Sequence, residues 1–549
     1  MQNNNSHLNW KTAAIVGAIA ATTSVGIYYY LHSRKKSINI DNVDAQILPD
    51  LTYRNPLDEA KRLKEKGNLH YKGGQYESAI QCYTNALNTC PSDSKQDKAM
   101  MYQNRAVAYE NLKEYDKALL DLNEALVLHP KYEKALIRRS KMYEEQGKFR
   151  EALIDITAAS IFNRFRISEL MSRMEQIVKN IAKIEVEKEL TGPPTLQSDL
   201  YISTYFESFP NDPLLNASDD EAGDNDVSRC FELLKSKNYE ESFKAVQNVL
   251  REKQDLNDEV MSRLLLLRGT FFLLSCREEL ALEDFAKVIN NSYAKPSVTV
   301  NALIKRAMIM IINDNAPEVD KAFTEALQID PDCPDIYYHR GSFFESVERV
   351  QEAVNDFSRA LEQNANYSFA AVHKVFNQSR MSTSNQNIFE EFKNLIKRFP
   401  NCVECNIIFA QVLLSEGRTD EAEKVCGDLL MNQLKSGTIM ATLAMIKLSQ
   451  NKILEARRVL NETIKEDPRC SYSYNTLATI FIKEGDLQKA LELLDQAVKF
   501  ARNRQEMQNF IATREGVRAQ LNVSVNYNIP PREIFEAILQ GLDMPAAYM

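Results

Sequence analysis

The sequence is poor in residues that interrupt helices and lacks the cysteine spacing of a disulfide-stabilised fold. Its 549 residues include only 16 glycines, 17 prolines and one tryptophan, a composition typical of a chain dominated by helix. Nine cysteines are scattered along it, which favours a reducing compartment over a disulfide-rich secreted fold. The chain is also too long for one hydrophobic core. These features predict several domains or an extended array, built mainly of helices.

Motifs that carry enzyme chemistry are also missing. The sequence contains no glycine-rich phosphate loop, no H-E-x-x-H and no G-x-S-x-G, so we expect neither an enzyme nor a cofactor. Cys402 and Cys405 form a lone C-x-x-C. No second pair or histidine cluster completes a zinc site. We interpret this pair as a coincidence within a helical hairpin and expect no metal.

The charge balance excludes one class of partner. Lysine and arginine total 67 against 76 aspartate and glutamate residues, which gives a net charge of −9. No basic block with interleaved aromatic residues occurs, so we do not expect a general nucleic-acid binder. A negative field raises the local concentration of basic peptides, and such ligands are compatible with the composition.

One segment has the properties of a membrane anchor. Residues 12–31, TAAIVGAIAATTSVGIYYYL, carry no charge over 20 positions, which is enough for one helical crossing of a bilayer. Lys11 precedes this segment, and three basic residues follow it at 34–36. The heavier positive flank favours the cytosolic side. We therefore predict a single-pass protein whose residues 1–11 lie outside the cytosol and whose long remainder faces it.

Two alternatives concern this segment: a cleaved secretory signal, and an anchor in a different membrane. A cleaved secretory signal needs a basic leading region, a shorter apolar core and an exit flank without positive charge, and residues 12–31 have the opposite flanks. We therefore expect an uncleaved anchor. The moderately apolar span with basic flanks suits the thin mitochondrial outer membrane, although the endoplasmic reticulum stays open on sequence grounds.

A period of 34 residues runs through most of the remaining chain. From a start at Ala60, small and aromatic residues meet the positions of the tetratricopeptide pattern, namely Gly67, Ala79, Tyr83, Ala86 and Pro91. The pattern begins again at 99, 133, 262, 300, 334, 403, 437 and 471, with weaker copies near 223 and 369. About eleven repeats of two helices each predict an all-α superhelical solenoid with a concave inner surface that suits extended peptides or helices.

The repeats and their interruptions predict a domain layout. A break at residues 191–225, with Pro-Pro and an acidic run, indicates a flexible connector, in which YISTYFESF could dock as a short amphipathic element. The tail after Pro530 is either a short helix folded onto the array or a free end. The predicted segments are 1–11, the anchor 12–31, a tether 32–56, three repeats 57–166, a charged helix and acidic linker 167–222, a second array 223–502, and a capping helix with tail 503–549.

Five donor side chains stand at inner positions of the first three repeats. They are Lys64, Asn68, Asn104, Lys134 and Arg138. Side chains four residues apart share one helix face, as in two pairs of this set. Three cations and two carboxamides on one groove suit carboxylates, because the arginine fork and the amides bond carboxylate oxygens. The expected ligand is a peptide end with its C-terminal carboxylate and a nearby aspartate. The neighbouring Arg105 and Arg139 are expected to carry outer-face charge.

Three short motifs carry a family resemblance. LKEKGN, QNRA and KALIRR match the dicarboxylate clamp of tetratricopeptide co-chaperones, which holds the Glu-Glu-Val-Asp end of heat-shock chaperones. With the anchor, the second array, LIRRSKMYEEQGKF and IYYHRGSFF, the chain resembles the seventy-kilodalton import receptors of the mitochondrial outer-membrane translocase. The resemblance implies that the clamp docks ninety- and seventy-kilodalton heat-shock chaperones. It also implies that the second array accepts hydrophobic, carrier-type precursor proteins with internal targeting signals for the translocase core subunits and its pore.

The residues that would bind precursors are less defined. The seventh repeat places Asp335, Tyr338 and His339 at inner positions, where a mixed aromatic and polar lining suits amphipathic segments. Tyr338 could equally serve hairpin packing, and His339 has no companion for a metal. The main alternative function is an anchored chaperone-recruiting scaffold at another membrane, such as the endoplasmic reticulum.

Overall fold

The computed structural model describes residues 55–216, 225–253, 255–313, 315–381, 386–431 and 437–541. Within these ranges the regular secondary structure is entirely helical, with 26 helices. The described residues form two compact units. The N-terminal unit comprises residues 55–185, 481–491 and 511–541, and the C-terminal unit comprises residues 186–480 and 492–510.

The first eight helices include the three predicted N-terminal repeats. They are α1 (Pro56–Lys72), α2 (Tyr76–Thr89), α3 (Lys95–Asn111), α4 (Tyr115–Leu128), α5 (Glu133–Glu145), α6 (Phe149–Phe162), α7 (Ser168–Glu189) and α8 (Asp199–Glu207). In the order of the chain, α1 to α6 form three helix–turn–helix pairs.

The eighteen later helices repeat this arrangement eight more times and end with two further helices. They are α9 (Asn225–Lys235), α10 (Tyr239–Glu252), α11 (Asp258–Leu274), α12 (Glu278–Ile289), α13 (Pro296–Ile312), α14 (Ala316–Ile329), α15 (Pro334–Ser346), α16 (Val350–Gln363), α17 (Ser368–Met381), α18 (Gln386–Arg398), α19 (Val403–Ser415), α20 (Thr419–Met431), α21 (Gly437–Ser449), α22 (Ile453–Glu466), α23 (Ser471–Glu484), α24 (Leu487–Lys499), α25 (Arg504–Tyr527) and α26 (Pro531–Gly541). The prediction of an all-α tetratricopeptide-like array is confirmed, with eleven helix pairs in the described part of the chain.

The short turn within a helix pair has a middle residue in the left-handed conformation. Gly74 has a φ of 77° in the first pair, and Lys113 has a φ of 60° at the equivalent place in the second. A side chain in this conformation costs about 1 kcal/mol relative to glycine. The turn keeps its form without glycine, so the packing of the two helices sets the hairpin more strongly than the turn residue does.

Close contact between the two helices of a pair depends on small residues, as the pattern predicts. A Cβ atom built on Gly67 would lie 2.6 Å from the ring of Tyr83. Gly341 faces Phe357 in the same way, with 2.8 Å between the built Cβ and the ring. Both glycines are buried in helices, where a Cβ would overlap the aromatic side chain. This geometry explains why a small residue and an aromatic residue recur sixteen positions apart.

A buried arginine–aspartate pair recurs at the same spacing and corrects one expectation. Arg105 donates two hydrogen bonds to Asp121, at 2.8 and 2.7 Å, and Arg139 bonds Asp155 at 2.7 Å through two nitrogens. The same pairing joins Arg268 to Asp284 and Arg340 to Asp356. Arg105 and Arg139 are therefore not outer-face charges. Each links the first helix of its pair to the second, because the bidentate fork satisfies a largely buried carboxylate.

Residues 196–214 are packed, which confirms the docked amphipathic element that was left open for YISTYFESF and differs from a flexible connector. Helix α8 begins after Ser198, whose side chain caps it. The side chains of Ile202, Phe206 and Phe209 are buried in the core of the C-terminal unit. The aromatic residues that were unusual for a linker explain the difference, because their apolar area is favourable only when buried.

The C-terminal tail is a helix that packs on the N-terminal unit. Ile534 and Ile538 of α26 are buried in the same core as Ile156 and Ile161 of α6. This settles the alternative between a folded tail and a free end in favour of the helix for residues 531–541. The predicted anchor, residues 12–31, lies outside the described residues. Of the helices that are described, none has a run of apolar residues long enough to cross a bilayer.

Candidate peptide-binding site

Two of the five predicted donors are in direct contact. The Asn104 amide on α3 donates a hydrogen bond of 3.1 Å to Oδ1 of Asn68 on α1. The hydroxyl of Tyr83, on α2, donates a second bond of 2.8 Å to the same oxygen. Because Oδ1 accepts both bonds, the Asn68 carboxamide is held in one orientation, with its nitrogen as the outward donor.

The remaining donor on α1 lies one turn before Asn68. The ammonium group of Lys64 is 3.1 Å from Oε1 of Glu65, and its side chain is 18% exposed. The Asn68 amide donates to the other Glu65 oxygen at 3.0 Å. Burial alone would raise the pKa of Glu65, but the bonds from Asn68 and Lys64 lower it. An exposed carboxylate of the protein thus bridges the two predicted donors.

The third repeat contributes the other two cations. Arg138, on α5, donates to Oε2 of Glu110 on α3, and Lys141 bonds the second oxygen of Glu110 at 2.7 Å. Burial would raise the pKa of Glu110, yet its contacts with Lys141 and Arg138 lower it. Lys134 lies one turn before Arg138 and is exposed. Among the described residues, no ion pair of Lys134 is found.

The three first helices therefore present donors in a continuous series. Except for the exposed Lys134, these cations and amides are already close to acceptors of the protein. The glutamates among these acceptors are replaceable because Glu65 is exposed and Arg138 is only partly covered. An incoming carboxylate can take bonds from the arginine fork and the amides in exchange. The arrangement suits reversible capture of an acidic peptide. It offers no nucleophile and base pair for chemistry.

Sequence reasoning missed Tyr83 and Glu110 as members of this site. Tyr83 was assigned to the hairpin seam, which is correct, but its hydroxyl also orients Asn68. The available signal was a tyrosine where the next two repeats have Leu122 and Ile156. Glu110 is six residues after Asn104 on α3 and bonds Arg138 and Lys141 of α5. The signal in that case was an acidic residue on α3, the helix that contributes Asn104 to the predicted basic groove.

The residues predicted to bind precursors lie under a segment of the same chain. Asp335, Tyr338 and His339 on α15 are all buried. Oδ2 of Asp335 accepts a bond of 3.3 Å from the backbone nitrogen of Asn211. The ring of Phe209 stacks on His339 with 4.0 Å between centroids. Residues 196–214 therefore cover this part of the inner face of the C-terminal unit.

Two of these residues have strongly shifted acidities. Burial raises the pKa of Asp335 to about 7, assisted by the nearby charge of Asp212. Burial lowers the pKa of His339 to about 3, which keeps the ring neutral. The ring of Tyr338 lies 5.9 Å from that of Phe357 on α16 and 5.0 Å from that of Tyr367, between centroids.

A buried ion pair fastens the covering segment. Lys305 on α13 lies 3.3 Å from Oδ2 of Asp212, and both side chains have no exposed surface. The Lys305 ammonium also donates to the hydroxyl of Thr270 at 3.0 Å. The hydroxyl of Tyr367 bonds the carbonyl of Ser208 at 2.6 Å. Removing one partner of a buried pair leaves an uncompensated charge, so this contact strongly holds the segment.

Comparisons with known proteins agree with the fold. Residues 64–133 match the family model of the tetratricopeptide repeat, and residues 298–538 match that of the ChAPs, the Chs5p-Arf1p-binding proteins. The crystal structure of yeast Tom70 covers 87% of this chain and 99% of its own, with a TM-score of 0.50 and 22% identity. At that identity the likeness supports the fold alone.

Curated relatives give the more specific likeness. Mitochondrial import receptor subunit TOM70 from Homo sapiens is 33% identical over 397 residues, which are 68% of this chain and 65% of the human protein. The subunit from Saccharomyces cerevisiae is 24% identical over 404 residues, 66% of this chain and 63% of the yeast protein. The matched region thus spans somewhat less than two thirds of these relatives. The resemblance inferred from the sequence is confirmed: the chain is a tetratricopeptide-repeat homologue of the mitochondrial import receptor subunit TOM70.

Proposed function

We propose that this protein is a mitochondrial protein import receptor of the outer membrane that docks cytosolic heat-shock chaperones through the groove of its first three repeats. The homology to TOM70 supports the receptor role. The observation that carries chaperone docking is the contact between Asn68 and Asn104, with the cations of α1 and α5 on either side. No catalytic role is proposed.

The chemistry of the groove defines the ligand. A peptide that ends in Glu-Glu-Val-Asp has two carboxylates on its last residue. Arg138 can hold one oxygen pair, and Lys64 and Lys134 add point charges. The oriented Asn68 and Asn104 amides bond the main chain or the terminal carboxylate. The glutamates already in the groove impose a cost on every acidic ligand, so charge alone is not sufficient for binding.

Peptide calorimetry tests this docking proposal. The full chain in detergent should bind a peptide ending in Glu-Glu-Val-Asp and should lose most of that affinity when the peptide is amidated at its C-terminus. Losing one charged acceptor that takes several bonds costs about 2–3 kcal/mol. Equal binding of both peptides would contradict the proposed capture of a terminal carboxylate.

We further propose that the C-terminal unit accepts hydrophobic precursors of the carrier type for transfer to the translocase core and pore. Asp335, Tyr338 and His339 would take part only if residues 196–214 moved away from them. Crosslinking a carrier precursor to variants with one photoreactive residue at these positions, with and without a disulfide that fixes residue 209 to the array, separates the possibilities. Crosslinks that persist with the segment fixed would place the precursor elsewhere.

The destination of the anchor separates the two candidate locations. A fusion of residues 1–40 to a fluorescent reporter should label mitochondria, since the short, weakly apolar span with basic flanks suits the thin outer membrane. Reticular labelling would instead support the alternative, a chaperone-recruiting scaffold at the endoplasmic reticulum, and would reject the import role without affecting the peptide-docking proposal.

A further inference from the structure

Three first helices of the C-terminal unit are preceded by a cysteine in the same repeat register. Cys333 precedes α15, Cys402 precedes α19 and Cys470 precedes α23. The residue three positions further along differs among them and is Ile336, Cys405 and Ser473 in turn. Of these three positions, only the one before α19 therefore combines the leading thiol with a second thiol in the first helical turn.

The two thiols before and within α19 are neighbours with different access to solvent. Cys402 is the residue that caps the helix, with extended backbone angles of φ −78° and ψ 102°, and it is half-buried. Cys405 has no exposed surface. Its sulfur lies 4.0 Å from the carbonyl oxygen of Ser368, where α17 begins. An approaching reagent therefore meets Cys402 first, with Cys405 behind it.

The acidities of the two thiols fit different roles. A hydrogen bond from Cys405 is the main cause that lowers the pKa of Cys402 to about 7, and the same contact raises the pKa of Cys405. Cys470 shows the contrast within the same unit. It contacts the hydroxyl of Ser473 at 3.2 Å, and burial raises its pKa. The thiolate is the reactive form of cysteine, so Cys402 is the better nucleophile.

We propose that Cys402 and Cys405 form a redox-active dithiol that exchanges with low-molecular-mass disulfides such as oxidised glutathione. The Cys402 thiolate attacks one glutathione sulfur, the glutathione disulfide breaks, and one glutathione thiolate leaves. Cys405 then attacks the Cys402 sulfur of the mixed disulfide, and its proton goes to the second departing glutathione thiolate. Two protein thiols are oxidised to one disulfide while one glutathione disulfide is reduced to two thiols.

The reaction would change a contact between two neighbouring first helices. The Cys405 sulfur lies 4.0 Å from the carbonyl oxygen of Ser368 at the start of α17, so taking this sulfur into a disulfide changes that contact. Glu404, between the two cysteines, lies 3.9 Å from His373 of α17. The dithiol therefore lies at the junction of α17 and α19, where its oxidation state acts on the inner face of the C-terminal unit.

Glutathione buffers with mass spectrometry test this proposal on the reduced, purified full chain. After acid quenching and alkylation with N-ethylmaleimide, the tryptic peptide 399–418 should lose two hydrogens and take up no maleimide. Cys405→Ser should retain one glutathione on Cys402, because the resolving thiol is gone. Cys402→Ser should leave Cys405 reduced. Circular dichroism checks that each variant keeps its helical content.

The chain provides its own matched control. Cys470 has the same register and a serine in place of the second thiol, so its tryptic peptide 470–483 should carry at most one glutathione. In Ser473→Cys, a disulfide between residues 470 and 473 should also form. The proposal is overturned if peptide 399–418 takes up two maleimides at glutathione ratios that modify Cys470. The proposal is also overturned if the two cysteines of peptide 399–418 oxidise only after the protein is unfolded in urea.

Discussion

The inner faces of the two units use the same helix positions for opposite purposes. In the N-terminal unit these positions carry partly exposed donors, with Lys64 and Arg138 on either side of the Asn68–Asn104 contact. In the C-terminal unit they carry buried groups such as Lys305 and Asp335, which bond residues 211 and 212 of the covering segment. The donors of one face are partly exposed to solvent, whereas the other face already holds part of its own chain.

The difference shows that repeat architecture does not determine whether the inner face is exposed or is covered by another segment of the chain. Both units contain the small–aromatic contact within a helix pair, as at Gly67 with Tyr83 and at Gly341 with Phe357. Both also share the buried arginine–aspartate pair. The units differ in the side chains that line the inner face, and in the aromatic segment 196–214 that covers this face in the C-terminal unit.

The largest effect should come from breaking the buried ion pair of the C-terminal unit. Lys305→Ala leaves Asp212 buried without a partner and should lower the free energy of unfolding by about 3–5 kcal/mol, measured by urea denaturation. Arg306→Ala is the matched control, because its partner Glu325 is partly exposed and such pairs contribute about 0–1 kcal/mol. Equal losses would show that the segment is not fastened by this pair.

Glycine substitutions should separate the shared hairpin from the specific groove. Gly67→Ala and Gly341→Ala both force a Cβ into an aromatic ring and should each cost about 1–3 kcal/mol of stability. Gly67→Ala should also weaken peptide binding, because it displaces Tyr83 from Asn68. Gly427→Ala is the control, since its Cβ would meet nothing within 4 Å. Unchanged peptide affinity in Gly67→Ala would remove Tyr83 from the site.

The C-terminal unit should also show a pH dependence from Asp335. Its folded pKa of about 7 lies above the ordinary value, so its contribution to stability is full in acid and is lost as the pH rises to 7. Between pH 5 and pH 8 the wild type should lose about 1–3 kcal/mol more unfolding free energy than Asp335→Asn. His339 has the opposite dependence, but it is present in both proteins and cancels. Parallel pH profiles would reject the assignment.

The smallest effect should come from the acid inside the N-terminal groove. Glu110→Gln removes the carboxylate that pairs with Arg138 and Lys141, so an acidic peptide should bind a few-fold more tightly, about 0.5–1 kcal/mol. Its salt dependence should steepen as well. Glu144→Gln, at the same register of the next repeat and paired with Arg173, should change nothing. Weaker binding in Glu110→Gln would make Glu110 a positioning residue for Arg138.

The repeat pattern was sufficient to predict the helix pairs and to place the five donor side chains on the first helices of the first three pairs. Period, small residues and aromatic residues are local signals, and the inner positions follow from helix geometry. The arginine–aspartate pairs were also present in the sequence as a sixteen-residue spacing, which was overlooked. Arg105 and Arg139 were assigned by their position beside the groove. An arginine that is followed by an aspartate sixteen residues later in several repeats is better explained as the partner of that aspartate.

The covering segment could not be predicted in the same way. Its contacts join residues far apart in the chain, as between Asn211 and Asp335. A local sequence repeat does not predict such long-range contacts. Pro-Pro and the acidic run are genuine signals of a connector, yet Phe206 and Phe209 outweigh them through buried apolar area. The peptide site of the N-terminal unit thus stays a prediction, while Asp335 and His339 contact residues 209–211 of the same chain.

Calorimetry of one peptide against two arginine variants tests the central contrast most directly. Arg138→Ala and Arg173→Ala each remove an arginine paired with a glutamate of the preceding first helix, but only Arg138 belongs to the predicted donors. With a peptide ending in Glu-Glu-Val-Asp, Arg138→Ala should lose about 2–3 kcal/mol of binding free energy, and Arg173→Ala should bind like the wild type. Wild-type affinity in a folded Arg138→Ala protein would contradict the account.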